Sequence, residues 1–102
     1  MDCKIVWTDS ALADLRAIAS YISKDDPQAA RRVGSDIYET VGMLAAFPLI
    51  GPPYPRNSNG KIREIVCWSY RIFYRVNAQK KLVEVLTIWH GARGIPVIPR
   101  RR

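Results

Sequence analysis

Residues 61–93 read KIREIVCWSYRIFYRVNAQKKLVEVLTIWHGAR, and their pattern decides the fold. Three runs rich in Val, Ile, Tyr, Phe and Trp, at about 61–67, 70–76 and 82–89, are separated by Trp68-Ser69 and by Asn77–Lys81. Such runs joined by short turns specify an antiparallel meander. In the middle run Tyr70, Ile72, Tyr74 and Val76 point to one side, and Arg71, Phe73 and Arg75 to the other. Ile72 and Val76 supply the apolar face that a half-buried strand requires. Two arginines around a phenylalanine are unusual on a plain solvent face, where Lys, Glu, Thr and Ser prevail. They call for a role.

Ahead of the meander, residues 48–60 hold four prolines and two glycines, so the expectation there is a long linker without regular structure. Before it, Ala30, Val33, Ile37, Val41 and Leu44 form the apolar stripe of a helix from Pro27 to about Ala46. Asp26 is placed to cap this helix, and Pro27 takes its first position without cost. Leu12, Leu15, Ile18, Ala19 and Ile22 form the stripe of an earlier helix over about 9–24, capped by Thr8 or Asp9. The short break at Lys24–Asp26 makes the two helices an antiparallel pair. Lys4–Trp7 reads as a first strand.

The order is therefore β-α-α-β-β-β: an α+β fold with a helical hairpin packed on one face of a small antiparallel sheet. Residues 1–95 are expected to form one domain, and 96–102 a basic tail. A one-sided helical cover leaves the other sheet face open. That places Arg71, Phe73 and Arg75 on an exposed basic surface, which the strand-end residues Arg63 and Arg93 can join.

Charge agrees with a binding face. The chain of 102 residues carries a net +7, but residues 1–54 hold five Lys/Arg against seven Asp/Glu, and residues 55–102 eleven against two. Such asymmetry suits an anionic partner, either nucleic acid or an acidic protein segment. Arg71 could pair with Glu64 or Glu84. These are the only carboxylates of the basic half, too few to neutralise Arg63, Arg71, Arg75 and Arg93 together. There is no recognition helix or RNP-type motif to read nucleic acid. No apolar run approaches the ~20 residues of a membrane span, and the N-terminus lacks signal-peptide features, so a cytoplasmic location is expected. Cys3 and Cys67 read as free thiols in a reducing compartment. One histidine and two distant cysteines give no metal-ligand spacing, and no metal or cofactor is expected.

The segments WTDSALADLRAIASYI, DDPQAARRVGSDIYETV, FPLIG, REIV-x-x-SYRIFYRV and VEVLTIWHGAR resemble the RelE/ParE superfamily of type II toxin–antitoxin toxins over about residues 4–93. YRIFYRV and HGAR are the most specific of them, and they are most similar to the ParE branch. The resemblance implies a small toxin that acts on DNA gyrase to stall replication. It also implies neutralisation by a ParD-like antitoxin with an acidic C-terminal segment, in a hetero-oligomeric complex.

The RelE branch instead cleaves mRNA on the ribosome. Carried over residue by residue, Arg71 matches the family's strand arginine and Arg93 its C-terminal arginine. The two RelE lysines fall on Glu64 and Ile62, or near Arg63 and Lys61 if the turn shifts by one residue. No tyrosine follows Arg93. The resemblance thus favours a non-enzymatic inhibitor with Arg63, Arg71, Phe73, Arg75 and Arg93 as partner contacts. The alternative is an endoribonuclease using Arg63, Arg71, His90 and Arg93, and a third reading is an inactive relative that only forms a complex.

Overall fold

The computed structural model describes residues 2–56, 61–93 and 98, and at Arg93 the backbone alone. The elements follow the expected order: β1 (Lys4–Trp7), α1 (Asp9–Ser23), α2 (Pro27–Met43), β2 (Ile62–Cys67), β3 (Tyr70–Asn77), β4 (Leu82–His90) and a terminal 3-10 turn, Gly91–Arg93. The two helices pack on a four-stranded sheet of order β1-β4-β3-β2. Expected residues 57–60 of the linker lie outside the described residues, as does the tail apart from Ile98.

Each helix starts where its capping chemistry allows. At α1 it is Thr8 that caps: its hydroxyl oxygen accepts from the Ala11 N–H at 3.2 Å, and the same hydroxyl donates to the Val85 carbonyl at 2.7 Å. One side chain thereby starts the helix and ties it to β4. Asp26 caps α2 by accepting the Ala29 N–H at 3.1 Å, with Pro27 next. Removing an exposed cap costs about 1 kcal/mol. Asp26→Ala should therefore lower the melting temperature by roughly 4–8 °C, a shift readable by calorimetry.

Helix α2 ends at Met43, short of the expected Ala46. Leu44, Ala45 and Ala46 donate to carbonyls three residues back, and Pro48 follows. The residue before a proline disfavours helical geometry, so the last turn tightens and stops.

The meander pairs as expected, antiparallel from β2 to β3 to β4. The N-terminal strand differs. It lies on the far edge of β4 and runs parallel to it, from Lys4 opposite Leu82 to Trp7 opposite Val85, which makes the sheet mixed. β1 has only four residues, so among the described residues no strand lies along this edge of β4 beyond Val85. There α1 substitutes: the Asp14 carboxylate accepts the Ile88 N–H at 3.0 Å and the Thr87 hydroxyl at 2.5 Å.

Ala11, Val33, Ile37, Val41, Ile72, Val85 and Ile88 form the main core between helices and sheet. Cys3, Leu44, Tyr74 and Val83 form a second cluster toward the other end. Register jumps from Phe73 opposite Thr87 to Tyr74 opposite Val85, leaving Leu86 as the extra residue of a bulge. The bulge explains how Val85 and Ile88, three apart on one strand, both reach the helix side.

Candidate functional site: the arginine strand and its aromatic arm

The linker is not a free loop. Pro53 bridges to Arg63, the Tyr54 N–H donates to the Ile62 carbonyl at 2.8 Å, and the Glu64 N–H donates to the Pro52 carbonyl at 3.1 Å. The prolines forbid a long strand, but two hydrogen bonds suffice to lay residues 52–54 along the edge of β2. This arm carries Tyr54 over the sheet face opposite the helices. Its ring meets Phe73 edge-on, with centroids 5.0 Å apart and planes at 71°. The face expected to be open is therefore roofed at its centre. Phe73 is fully buried, so it acts as the floor of this cluster and not as an exposed contact.

Arg71 completes the cluster. Its guanidinium lies 5.1 Å from the Phe73 centroid and 5.8 Å from that of Tyr54, and grips Glu64 in a fork. The Nη2 arm donates to Oε1 at 3.1 Å and the Nε arm to Oε2. The Glu64 hydrogen bonds are the main reason its pKa is raised above the ordinary arginine value; desolvation opposes this, and the Glu64 and Tyr54 charges add to it. The pair keeps some contact with water, at 25% and 18% side-chain exposure. Next along the same face, Arg75 donates to Glu84 at 2.8 Å. The two carboxylates of the basic half are thus taken up one by one by the two strand arginines.

Arg63 lies elsewhere. It stands opposite Tyr74, and directly opposed residues of an antiparallel pair share a face, so Arg63 points to the helix side. Its Nη1 donates to the Gly51 carbonyl at 2.7 Å and to that of Leu49 at 3.4 Å, holding the arm from below. The Gly51 N–H in turn donates to the Tyr74 hydroxyl at 3.0 Å. His90 is at the far end of β4, where Nδ1 accepts the Ala92 N–H at 3.1 Å and the ring meets Tyr70 at 5.2 Å. The side chain of Arg93 lies outside the described residues. The structure therefore joins Arg71 with Phe73, sets Arg75 beside them, and separates Arg63 and His90 from both.

Sequence reasoning missed Tyr54 and Gly51 as parts of this site, and it left Glu64 and Glu84 as alternative partners of Arg71. Tyr54 had no signal, because only the tertiary path of a proline-rich segment brings it across the sheet. The choice of Glu64 follows from the register: on a β2–β3 meander with a two-residue turn at Trp68-Ser69, it falls opposite Phe73, diagonal to Arg71.

Tyr74 offers a test of the arm. Burial raises its hydroxyl pKa above 10.0, partly offset by the Gly51 hydrogen bond and Arg63. The folded state holds the proton more tightly than the unfolded chain, so this stabilisation is complete below the unfolded value and is lost as pH rises through the folded one. Unfolding midpoints measured from pH 9 upward should fall steeply for the wild type and less steeply for Tyr74→Phe. The variant should be about 1–2 kcal/mol weaker at neutral pH, because the Gly51 N–H loses its acceptor.

A helical hairpin on a four-stranded mixed sheet is an α+β fold that matches the RelE/ParE toxins. The family model described as ParE toxin of type II toxin-antitoxin system, parDE, matches residues 5–95, and the chain belongs to that family. It is 39% identical over 97 residues to the Y4kP protein of Sinorhizobium fredii, covering 93% of this chain and 95% of the relative. It is 37% identical over 91 residues to Toxin RelE2 of Caulobacter vibrioides, covering 88% and 97%. Among solved structures it is similar to a chain of the chromosomal ParDE system from P. aeruginosa, at TM-score 0.72 and 27% identity over 86% of this chain and 95% of that one. The chain is a toxin of a type II toxin–antitoxin system, with an antitoxin as its partner.

Proposed function

We propose that this toxin inhibits DNA gyrase without chemistry of its own, and that a ParD-like antitoxin neutralises it in the cytoplasm. The observation that carries this reading is the state of Arg71. A ribonuclease needs cations free to hold a scissile phosphate and groups to move protons beside them. Here the strand arginine is forked onto Glu64 and lies against two rings, Arg63 supports the arm from the other face, and His90 stands apart. Such an arrangement supports a binding surface.

The domain proposed to carry this function is residues 1–95, ahead of the basic tail 96–102. Its proposed contacts are Arg71 and Arg75 on the sheet face and Arg93 past the end of β4, with Phe73 supporting Arg71 from beneath and Arg63 holding the arm from the other face. An acidic C-terminal segment of the antitoxin would lie over that face or along the groove between α1 and α2. Arg16, Arg31 and Tyr38 line that groove, which gives it positive charge for an acidic segment. The rival reading, a ribosome-dependent endoribonuclease, is favoured by the name of the Caulobacter relative.

One pair of assays separates the two. Purified toxin should block supercoiling by gyrase and leave translated mRNA intact. Codon-positioned cleavage of the message with unimpeded supercoiling would reverse the assignment. Expression without an antitoxin should arrest growth, and harmless expression would remove both readings.

A further inference from the structure

A cleft of about 430 Å³ opens between α1 and the adjoining ends of β3 and β4, on the helix side of the sheet. Ile18 and Ile88 line its base, and Asp14, Tyr21, Tyr70 and His90 supply its polar and aromatic groups. Asp14, Ile18 and Tyr21 follow one another at three- and four-residue spacing, so one face of α1 presents all three. Tyr70 and His90 stand opposite one another at the end of the β3–β4 ladder, their rings at 83°.

Two features give the cleft a chemical preference. First, the Asp14 carboxylate is held rigidly, and both its bonds, from Thr87 and Ile88, fall on Oδ2. A carboxylate has about four acceptor positions, so Oδ1 remains for a donor from the cleft. Second, among the described residues no lysine or arginine lines the cleft. The His90 Nδ1 is already taken up as the acceptor of the Ala92 N–H. A fixed carboxylate ringed by three aromatic side chains, in a protein otherwise strongly basic, is a receptor for a cation.

We propose that this cleft receives an arginine side chain presented by a protein partner of the toxin. A planar guanidinium can lie flat on a tyrosine ring while its edge donates to the open Oδ1, whereas a compact, strongly hydrated ammonium has no flat face to stack. Tyr21 is 73% exposed, so the rim is open to solvent and admits a tethered side chain. The chain's net charge of +7 works against capture of a free cation from bulk solution. A partner already docked elsewhere overcomes that by raising the local concentration of its own arginine. This inference rests on the toxin having a protein partner and not on gyrase being its target, so the supercoiling assay and the test below fail independently.

The test titrates the full-length toxin with N-acetyl-arginine amide while NMR follows the Tyr21, Tyr70 and His90 rings. Saturable shifts confined to these rings and to Asp14 are expected, with dissociation constants on the order of millimolar for so small a probe. The neutral citrulline analogue should produce none. Tyr21→Ala, at an exposed position, should weaken binding by about fivefold. Asp14→Asn keeps an acceptor for Thr87 and Ile88 and should weaken it at least tenfold. Citrulline binding as well as arginine, shifts scattered over the surface, or binding indifferent to both substitutions would overturn the proposal. So would tetramethylammonium binding more tightly than the arginine derivative, which would assign the cleft to a free cation.

Discussion

Gly51→Ala is expected to lower the melting temperature by roughly 10–20 °C, corresponding to about 2–3 kcal/mol of overpacking. A methyl group there would stand 2.5 Å from the Glu64 carbonyl oxygen and 2.8 Å from the Tyr74 hydroxyl. The first neighbour is backbone of β2 and cannot swing aside. The second is a fully buried ring whose hydroxyl accepts the Gly51 N–H. The arm must therefore lift, and lifting it breaks the Arg63 contacts to the Leu49 and Gly51 carbonyls and withdraws Tyr54 from Phe73. Thermal unfolding gives the magnitude, and amide exchange at Tyr54 and Glu64 tells whether the arm goes first. An unchanged melting temperature would mean that the arm contributes nothing to the fold.

Arg71→Ala has the second large effect, at about 2 kcal/mol. Its ion pair is partly exposed and on its own counts for less than a buried one. The substitution also removes a cation from two aromatic rings and leaves Glu64 half-buried among them. Arg71→Lys should recover less than half of the loss, because an ammonium cannot reproduce the fork or the stacking. Urea denaturation of the single variants and of Arg71→Ala with Glu64→Ala forms a cycle that isolates the pair. In the proposed function, the same substitution should weaken the complex with a ParD-like antitoxin by about tenfold or more and flatten its salt dependence. Full antitoxin affinity in Arg71→Ala would move the contact to the groove between the helices.

The element order and the helix stripes were legible because they depend on local chemistry. Periodicity identified α1 and α2, Asp26 and Pro27 marked a start, and alternation in Tyr70–Val76 marked a strand. The direction of β1 was not legible. A four-residue run such as Lys4–Trp7 carries no sign of which neighbour it joins or in which sense. The bulge at Leu86 was hidden for a similar reason, since it belongs to a pairing of two strands and not to either one. At the site, Arg71, Phe73 and Arg75 were rightly placed on one face, but their environment was not. An exposed basic surface was expected, and the structure shows two ion pairs and an aromatic roof.

What the sequence determined by itself was the arginine-bearing strand, the helical hairpin that covers its other side, and the excess of positive charge in the second half. These follow from spacing and counting. Only the tertiary structure decided where that charge is spent. The arm laid along β2 brings Tyr54 and Gly51 to residues more than a dozen positions away, and the strand register puts Glu64 within reach of Arg71 while turning Arg63 to the opposite face. Contacts between distant segments depend on chain path and register, and neither is encoded in the composition of the segments that meet.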